Sequence, residues 1–149
     1  MNDVTINDIV DMWGQDSGTV NETRYAEASA ETAKLHSKYL RYLVQFKMAR
    51  TKVQSDHDIL RRFKFRYYRG ELTRKELETL GWEQWQYAKP LKGEMEELVR
   101  GDADIRKFVA RIEEADTAVE ALEEILKQIK QRDFAIGNAI RWKIFLAGG

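Results

Sequence analysis

Residues 61–70 read Arg61-Arg62-Phe63-Lys64-Phe65-Arg66-Tyr67-Tyr68-Arg69-Gly70, five cations and four aromatic rings in ten positions of a chain with zero formal net charge. Cations attract a phosphate backbone and flat rings stack on unpaired bases. Together these contacts hold a single strand without reading its sequence. The same composition suits the end of an amphipathic helix, with rings in a core and guanidinium groups in water. The cluster alone leaves both readings open.

Other chemistry has little support. His36 and His57 lack partners at metal-ligand spacing. His57 lies between Asp56 and Asp58, but adjacent helical residues do not converge on one ion, so both histidines read as solvated. No glycine-rich phosphate loop follows a strand. The pairs Glu96-Glu97, Glu113-Glu114 and Glu123-Glu124 read as solvated or subunit-facing charge rather than acid–base dyads. The absence of cysteine removes disulfides and thiolate nucleophiles. The expectation is a protein that binds rather than catalyses, with no metal and no cofactor.

Charge is strongly segregated. One cation faces seven acids over residues 1–33 (−6), and 13 cations face three acids over 34–75 (+10). Six face 14 over 76–125 (−8), and five face one over 126–149 (+4). The basic block suits a polyanion, or an acidic segment of a neighbouring subunit.

The elements that must position the cluster are helices. One proline, nine glycines and 34% charged residues in 149 favour long helices over a sandwich or barrel, in one domain. Residues 25–67 contain neither Gly nor Pro. Tyr25, Ala28, Thr32, Leu35, Tyr39, Tyr42, Phe46, Ala49, Val53, Asp56, Leu60, Phe63 and Tyr67 keep a 3–4 spacing, a seam of about six heptads. Asp56 interrupts the apolar line, as a bend or a register-setting polar contact. Such a helix is about 65 Å long, which in a chain this size implies a hairpin or an oligomer. Phe63-Lys64-Phe65-Arg66-Tyr67 also alternates as a strand would, but the unbroken heptad register favours helix, with Gly70 as its C-terminal cap.

Upstream, Asn7 is the expected N-cap of a short helix, and residues 14–19 read as a loop. Downstream, Thr73-Arg74-Lys75-Glu76 is a capping box for a helix to Leu80, closed by Gly81. Trp82, Trp85 and Tyr87 form an aromatic patch, Pro90 opens the next helix, and Gly101-Asp102 interrupts the chain again. Residues 103–130 are helical with a Glu-rich outer face. The last stretch, with Phe134, Ile136, Ile140, Trp142, Ile144, Phe145 and Leu146, is apolar on most sides. It is expected to dock on another subunit or on the chain's own hairpin. No apolar run reaches the length of a membrane span, and Met1-Asn2-Asp3-Val4 lacks the form of a signal peptide, so the expected location is cytoplasmic.

Three blocks resemble a known family. Leu35-His36-Ser37-Lys38-Tyr39-Leu40, then the run from Leu60 to Gly70, then Lys130-Gln131-Arg132-Asp133-Phe134-Ala135-Ile136 are similar in order and separation to the UvsY family, the recombination mediators of T-even-type bacteriophages. The fold expected from the residues is all-α, a long helical hairpin with coiled-coil-like packing. The resemblance adds assembly into a ring-like homo-oligomer. It implies a non-enzymatic protein of the host-cell cytoplasm that binds single-stranded DNA. Its implied role, in homologous recombination and repair, is to promote loading of the phage recombinase onto DNA covered by the phage single-strand-binding protein. The family's DNA-contacting cations, aligned through the Tyr-Tyr pair, fall on Arg62 and Lys64, with Arg61, Arg66 and Arg69 as extra cations here. Phe63 and Tyr67 lie on the seam, which leaves Phe65 and Tyr68 as stacking candidates. The C-terminal segment would carry subunit assembly. Residues 71–100 match the family poorly and receive no role. The alternative is a helical oligomeric scaffold whose basic block pairs with acidic segments of partner subunits. A membrane-surface role has less support, because the seam is already committed to helix packing.

Overall fold

The structure is a computed structural model that describes residues 4–18 and 25–148. Five helices follow one another: α1 (Ile6–Asp16), α2 (Tyr25–Tyr68), α3 (Arg74–Leu80), α4 (Lys92–Gly101) and α5 (Ala103–Leu146). No strand occurs among the described residues. Among them no helix is long and apolar enough to cross a membrane. Thr19 of the expected loop, and the start of the long element at 21–24, lie outside the described residues.

The described residues form two compact units. The first takes the described residues of Met1–Met48 and Ala115–Gly149, the second Ala49–Glu114. Each has its own hydrophobic core, and α2 and α5 contribute to both.

In the first unit, Ile9 of α1, Leu35, Tyr39 and Leu43 of α2, and Leu122, Ile125 and Ile129 of α5 form the core. α2 and α5 run antiparallel there. Arg132 reaches Glu31 at 3.9 Å while Lys47 reaches Glu123 at 3.8 Å, so rising numbers meet falling ones. Asp16 ties α1 to α2, accepting from the Tyr39 hydroxyl at 2.8 Å and from Lys38 Nζ at 2.6 Å. Trp13 Nε1 donates to Gln128 of α5 at 2.7 Å. These contacts carry α1 through Gly14, Gln15 and Asp16, which the sequence suggested as loop. The N-cap is Thr5, not Asn7. Thr5 Oγ1 accepts the Asp8 N–H, and the Asp8 carboxylate accepts the Thr5 N–H in return.

In the second unit, Tyr68, Met95, Val99 and Ile105 form the core. α2 ends as expected at Gly70, whose φ of 72° suits a residue without Cβ, and the Glu71 N–H closes the turn on the Arg66 carbonyl at 2.9 Å. Thr73 and Glu76 cap α3 reciprocally. Pro90 stands before the N-cap Leu91 rather than inside α4. Asp102 ends α4 and starts α5, its Oδ1 accepting the N–H groups of Asp104 and Ile105. From there α5 is one helix to Leu146, where the sequence suggested several. Gly137 within it costs only about 1 kcal/mol of helix propensity relative to alanine.

The seam of α2 holds over its first turns. Ala28, Thr32, Leu35 and Tyr39 are buried, and the Thr32 hydroxyl donates to the Ala28 carbonyl at 2.9 Å. Next, Leu43, one residue off the expected line, is buried, while Tyr42 and Phe46 are half-buried. Beyond that the buried line moves. Ala49 and Asp56 are exposed, and the inward positions become Leu60, Lys64 and Tyr68 instead of Leu60, Phe63 and Tyr67. A straight α-helix drifts about 20° per heptad from a strict 3.5-residue repeat. Over several heptads that displaces the inward face by about one residue.

Leu122 is fully buried in the first core. Leu122→Ala should lower the unfolding free energy in urea by about 3 kcal/mol. Leu40→Ala, on the exposed side of α2, should change it by about 0.5 kcal/mol or less.

Candidate nucleic-acid interface

The cluster at 61–70 belongs wholly to the second unit, and the shifted register decides which of its side chains meet solvent. Lys64 is 5% exposed. Its ammonium lies 3.1 Å from Asp102 Oδ2 and 3.0 Å from Asp104 Oδ2, and 4.0 Å over the Trp82 ring. Tyr68 is buried too. Its hydroxyl donates to Asp102 Oδ2 at 2.7 Å, and its ring meets the Trp85 ring edge-on at 4.7 Å between centroids. Neither residue offers a face to a strand, in contrast to the role expected from the sequence. Their partners Asp102 and Asp104 went unforeseen because they lie some forty residues away.

Burial by itself would raise the Asp102 pKa. The Tyr68 hydroxyl, the Ile105 N–H and Lys64 together outweigh it and hold the carboxyl below its usual range. Burial, reinforced by the same hydrogen bond, pushes the Tyr68 hydroxyl upward. Of the aromatic patch at Trp82, Trp85 and Tyr87, the first two cover this node, Tyr87 packs on Trp85 at the exposed edge, and the Tyr67 hydroxyl donates to the Glu83 carbonyl at 2.7 Å.

The remaining cations divide by partner. Arg61 binds both Glu96 oxygens at 3.2 Å and lies 4.5 Å over the Phe65 ring. Arg66 holds both Glu76 oxygens at 3.0 Å, which draws the Glu76 pKa down and reinforces the cap of α3. Arg69 is exposed, with its guanidinium 5.7 Å from the Phe65 ring. Arg62 is exposed and has no ion pair among the described residues. At about 100° per residue, Arg62, Arg66 and Arg69 fall within about 60° of one another on the side opposite Lys64. Phe63, expected in packing, lines an outer hollow with Ile59, Arg62 and Arg66. The arrangement can present guanidinium groups to a run of phosphates, with Phe65 at the edge of that face.

His57 is not solvated as expected. Its ring is largely covered, and Nδ1 lies 3.0 Å from the Asp58 carboxylate. No group of three or more His, Asp or Glu among the described residues could hold a metal ion. Of the C-terminal apolar residues, Ile136 is 3% exposed and belongs to the chain's own packing, and Ile140 is half-buried. Phe134, Trp142, Ile144, Phe145 and Leu146 are exposed, and the Trp142 and Phe145 rings stack at 5.5 Å.

A family model described as "Recombination, repair and ssDNA binding protein UvsY" matches residues 12–149. The chain belongs to the UvsY family. Three crystal structures of the recombination mediator protein UvsY of bacteriophage T4, in different lattice types, share the fold. Their TM-scores are 0.79, 0.80 and 0.77, at 20% sequence identity. The matches cover 95%, 97% and 93% of this chain and 99%, 98% and 98% of the solved chains. Among curated protein sequences none matches significantly. The UvsY match runs through residues 71–100, where the sequence blocks gave no correspondence.

In this UvsY-family chain, Lys64→Met should lower stability by about 3–5 kcal/mol, because it leaves Asp102 buried without its cation. Arg62→Ala should change stability by about 0.5 kcal/mol or less. Urea titration compares the two. The pH dependence follows from the shifts. Asp102 is lowered, so its contribution is full above about pH 4 and is lost as pH falls through the depressed value. Tyr68 is raised, so its contribution is full below about pH 10 and declines as pH rises further. Tyr68→Phe should therefore melt at lower temperature near neutrality and lose stability less steeply above pH 10.

Proposed function

We propose that this chain is a recombination mediator that binds single-stranded DNA through the outward arginine face at the end of α2. On this reading it promotes loading of a phage recombinase onto DNA covered by the phage single-strand-binding protein, in the host-cell cytoplasm, during homologous recombination and repair. The observation that carries the reading is the orientation of the cluster. Arg62 and Arg69 face solvent without a carboxylate partner among the described residues, beside Phe65. Free cations next to a ring supply phosphate attraction and stacking in one place. Family membership supports the same activity.

The mediator acts as a homo-oligomer, and the exposed apolar end of α5 supports self-association through Phe134, Trp142, Ile144, Phe145 and Leu146. A ring of copies turns weak contacts into avidity. A strand wrapped along such a ring is held in a path that loosens the single-strand-binding protein and presents DNA to the recombinase. The scaffold alternative relied on acid–base pairing between subunits. Within one chain, Arg61, Lys64 and Arg66 already satisfy carboxylates, which favours the mediator reading.

Fluorescence anisotropy with a labelled oligonucleotide, single-stranded and then duplex, tests the proposal. Salt-sensitive binding that prefers the single strand is expected. Arg62→Ala with Arg69→Ala should weaken it and reduce the slope of log affinity against log salt by about 1.4, or about 0.7 per phosphate contact. Unchanged affinity and slope would remove this face from the interaction, and no binding at low salt would reject the function.

A further inference from the structure

The second unit also carries a groove between the end of α2 and the stretch 71–100, to which the family resemblance gives no role. It is open, about 600 Å³, and is lined by Phe65 and Arg69 of α2 together with Lys89, Pro90, Lys92 and Gly93. That volume lies in the range of small-ligand pockets. Lys89 and Lys92 are exposed and make no ion pair among the described residues. The one carboxylate on the wall, Glu96, is neutralised by both of its oxygens accepting from Arg61. Three uncompensated cations therefore surround an apolar floor of Phe65 and Pro90. In the sequence, Arg69 and the Lys89-Pro90-Leu91-Lys92 run are twenty residues apart and read as unrelated.

We propose that this groove is a nucleotide subsite for single-stranded DNA, with Arg69, Lys89 and Lys92 on consecutive phosphates and one base against Phe65. The proposal rests on the single-strand reading above and extends it to a second element of the fold. Charge selects a polyanion, and the flat apolar floor selects one with unpaired bases, which a duplex does not expose. Arg61, pinned by Glu96, stays against Phe65 and keeps the ring in place. Arg69 has only the ring as a partner, so it is free to move onto a phosphate and open the ring to a base. The basic segment before α4 would then continue the path that begins on the arginine face of α2. The strand crosses from one element to the next instead of following a single helix.

The test uses the full chain and two probes, a labelled oligodeoxythymidylate and an oligonucleotide carrying 2-aminopurine. Lys89→Gln with Lys92→Gln changes only exposed side chains. It should weaken binding of the first probe about tenfold at moderate salt and reduce the salt slope by about 1.4. Phe65→Leu keeps apolar bulk for packing but removes the flat ring. It should bind with a lower 2-aminopurine fluorescence change, while its circular dichroism matches the parent. If the parent binds and Arg62→Ala weakens it, yet the lysine pair binds with parental affinity and slope, the groove proposal is overturned and the arginine face stands. If the parent binds no single strand, both fall together. A Phe65→Leu variant with the parental 2-aminopurine response would remove the base from the ring.

Discussion

The buried ammonium of Lys64 fixes the orientation of everything around it. Held between Asp102 and Asp104 and covered by Trp82, it locks the rotational phase of the last turns of α2. Tyr68, one turn further, is locked by the same Asp102 oxygen. With those two positions committed inward, Arg62, Arg66 and Arg69 have nowhere to point but outward, and Phe65 is left at the margin. A buried ion pair adds little net stability over an apolar replacement, because desolvating both charges offsets most of their attraction. What it does add is a penalty for every other phase. Rotation by one residue in either direction would take the ammonium away from Asp102 and Asp104 and leave Asp102 buried without its cation.

The first unit contains a looser version of the same device. There Tyr39 and Lys38 converge on Asp16, as Tyr68 and Lys64 converge on Asp102. In both cases burial raises the acid and the donated hydrogen bonds outweigh it, so the carboxylate stays charged. In both a tyrosine supplies the apolar body and a lysine supplies the charge. The difference is solvent. Lys38 is 38% exposed and Lys64 is 6% exposed at the side chain. The first arrangement tolerates fluctuation, and the second does not.

Most of the helical architecture was legible because its signals are local. The absence of Gly and Pro across 25–67, the cap at Gly70, and the Thr73–Glu76 box each depend on neighbours within a turn or two. What the sequence did not reveal was phase. A heptad line drawn from Tyr25 is correct at Leu35 and Tyr39 and one residue out by Phe63, because small angular drift accumulates over a long helix. That single displacement exchanges the roles of Phe63 and Lys64, and of Tyr67 and Tyr68. A lysine on the inward face reads as a break in the seam, because its carboxylate partners Asp102 and Asp104 lie far along the chain. The start of α1 turns on a different signal. Asn7 and Thr5 are both good caps, and only the reciprocal bond with Asp8 separates them.

Charge segregation follows from the same geometry. The acidic block 76–125 supplies Glu76, Glu96, Asp102 and Asp104, which pair with Arg66, Arg61 and Lys64 of the basic block. Folding thus removes three of the five cations of the 61–70 cluster from the free pool, two of them in bidentate pairs that hold flanking helices in position. The charges that attract a polyanion are those left over. That number is small, and each phosphate contact is screened strongly by salt, so on the proposed reading one copy of this surface would bind weakly at physiological ionic strength. Weakness suits a protein proposed to hand its DNA on. Affinity that arises from several modest surfaces acting together is lost stepwise as contacts are displaced, whereas a single tight site would have to be vacated at once.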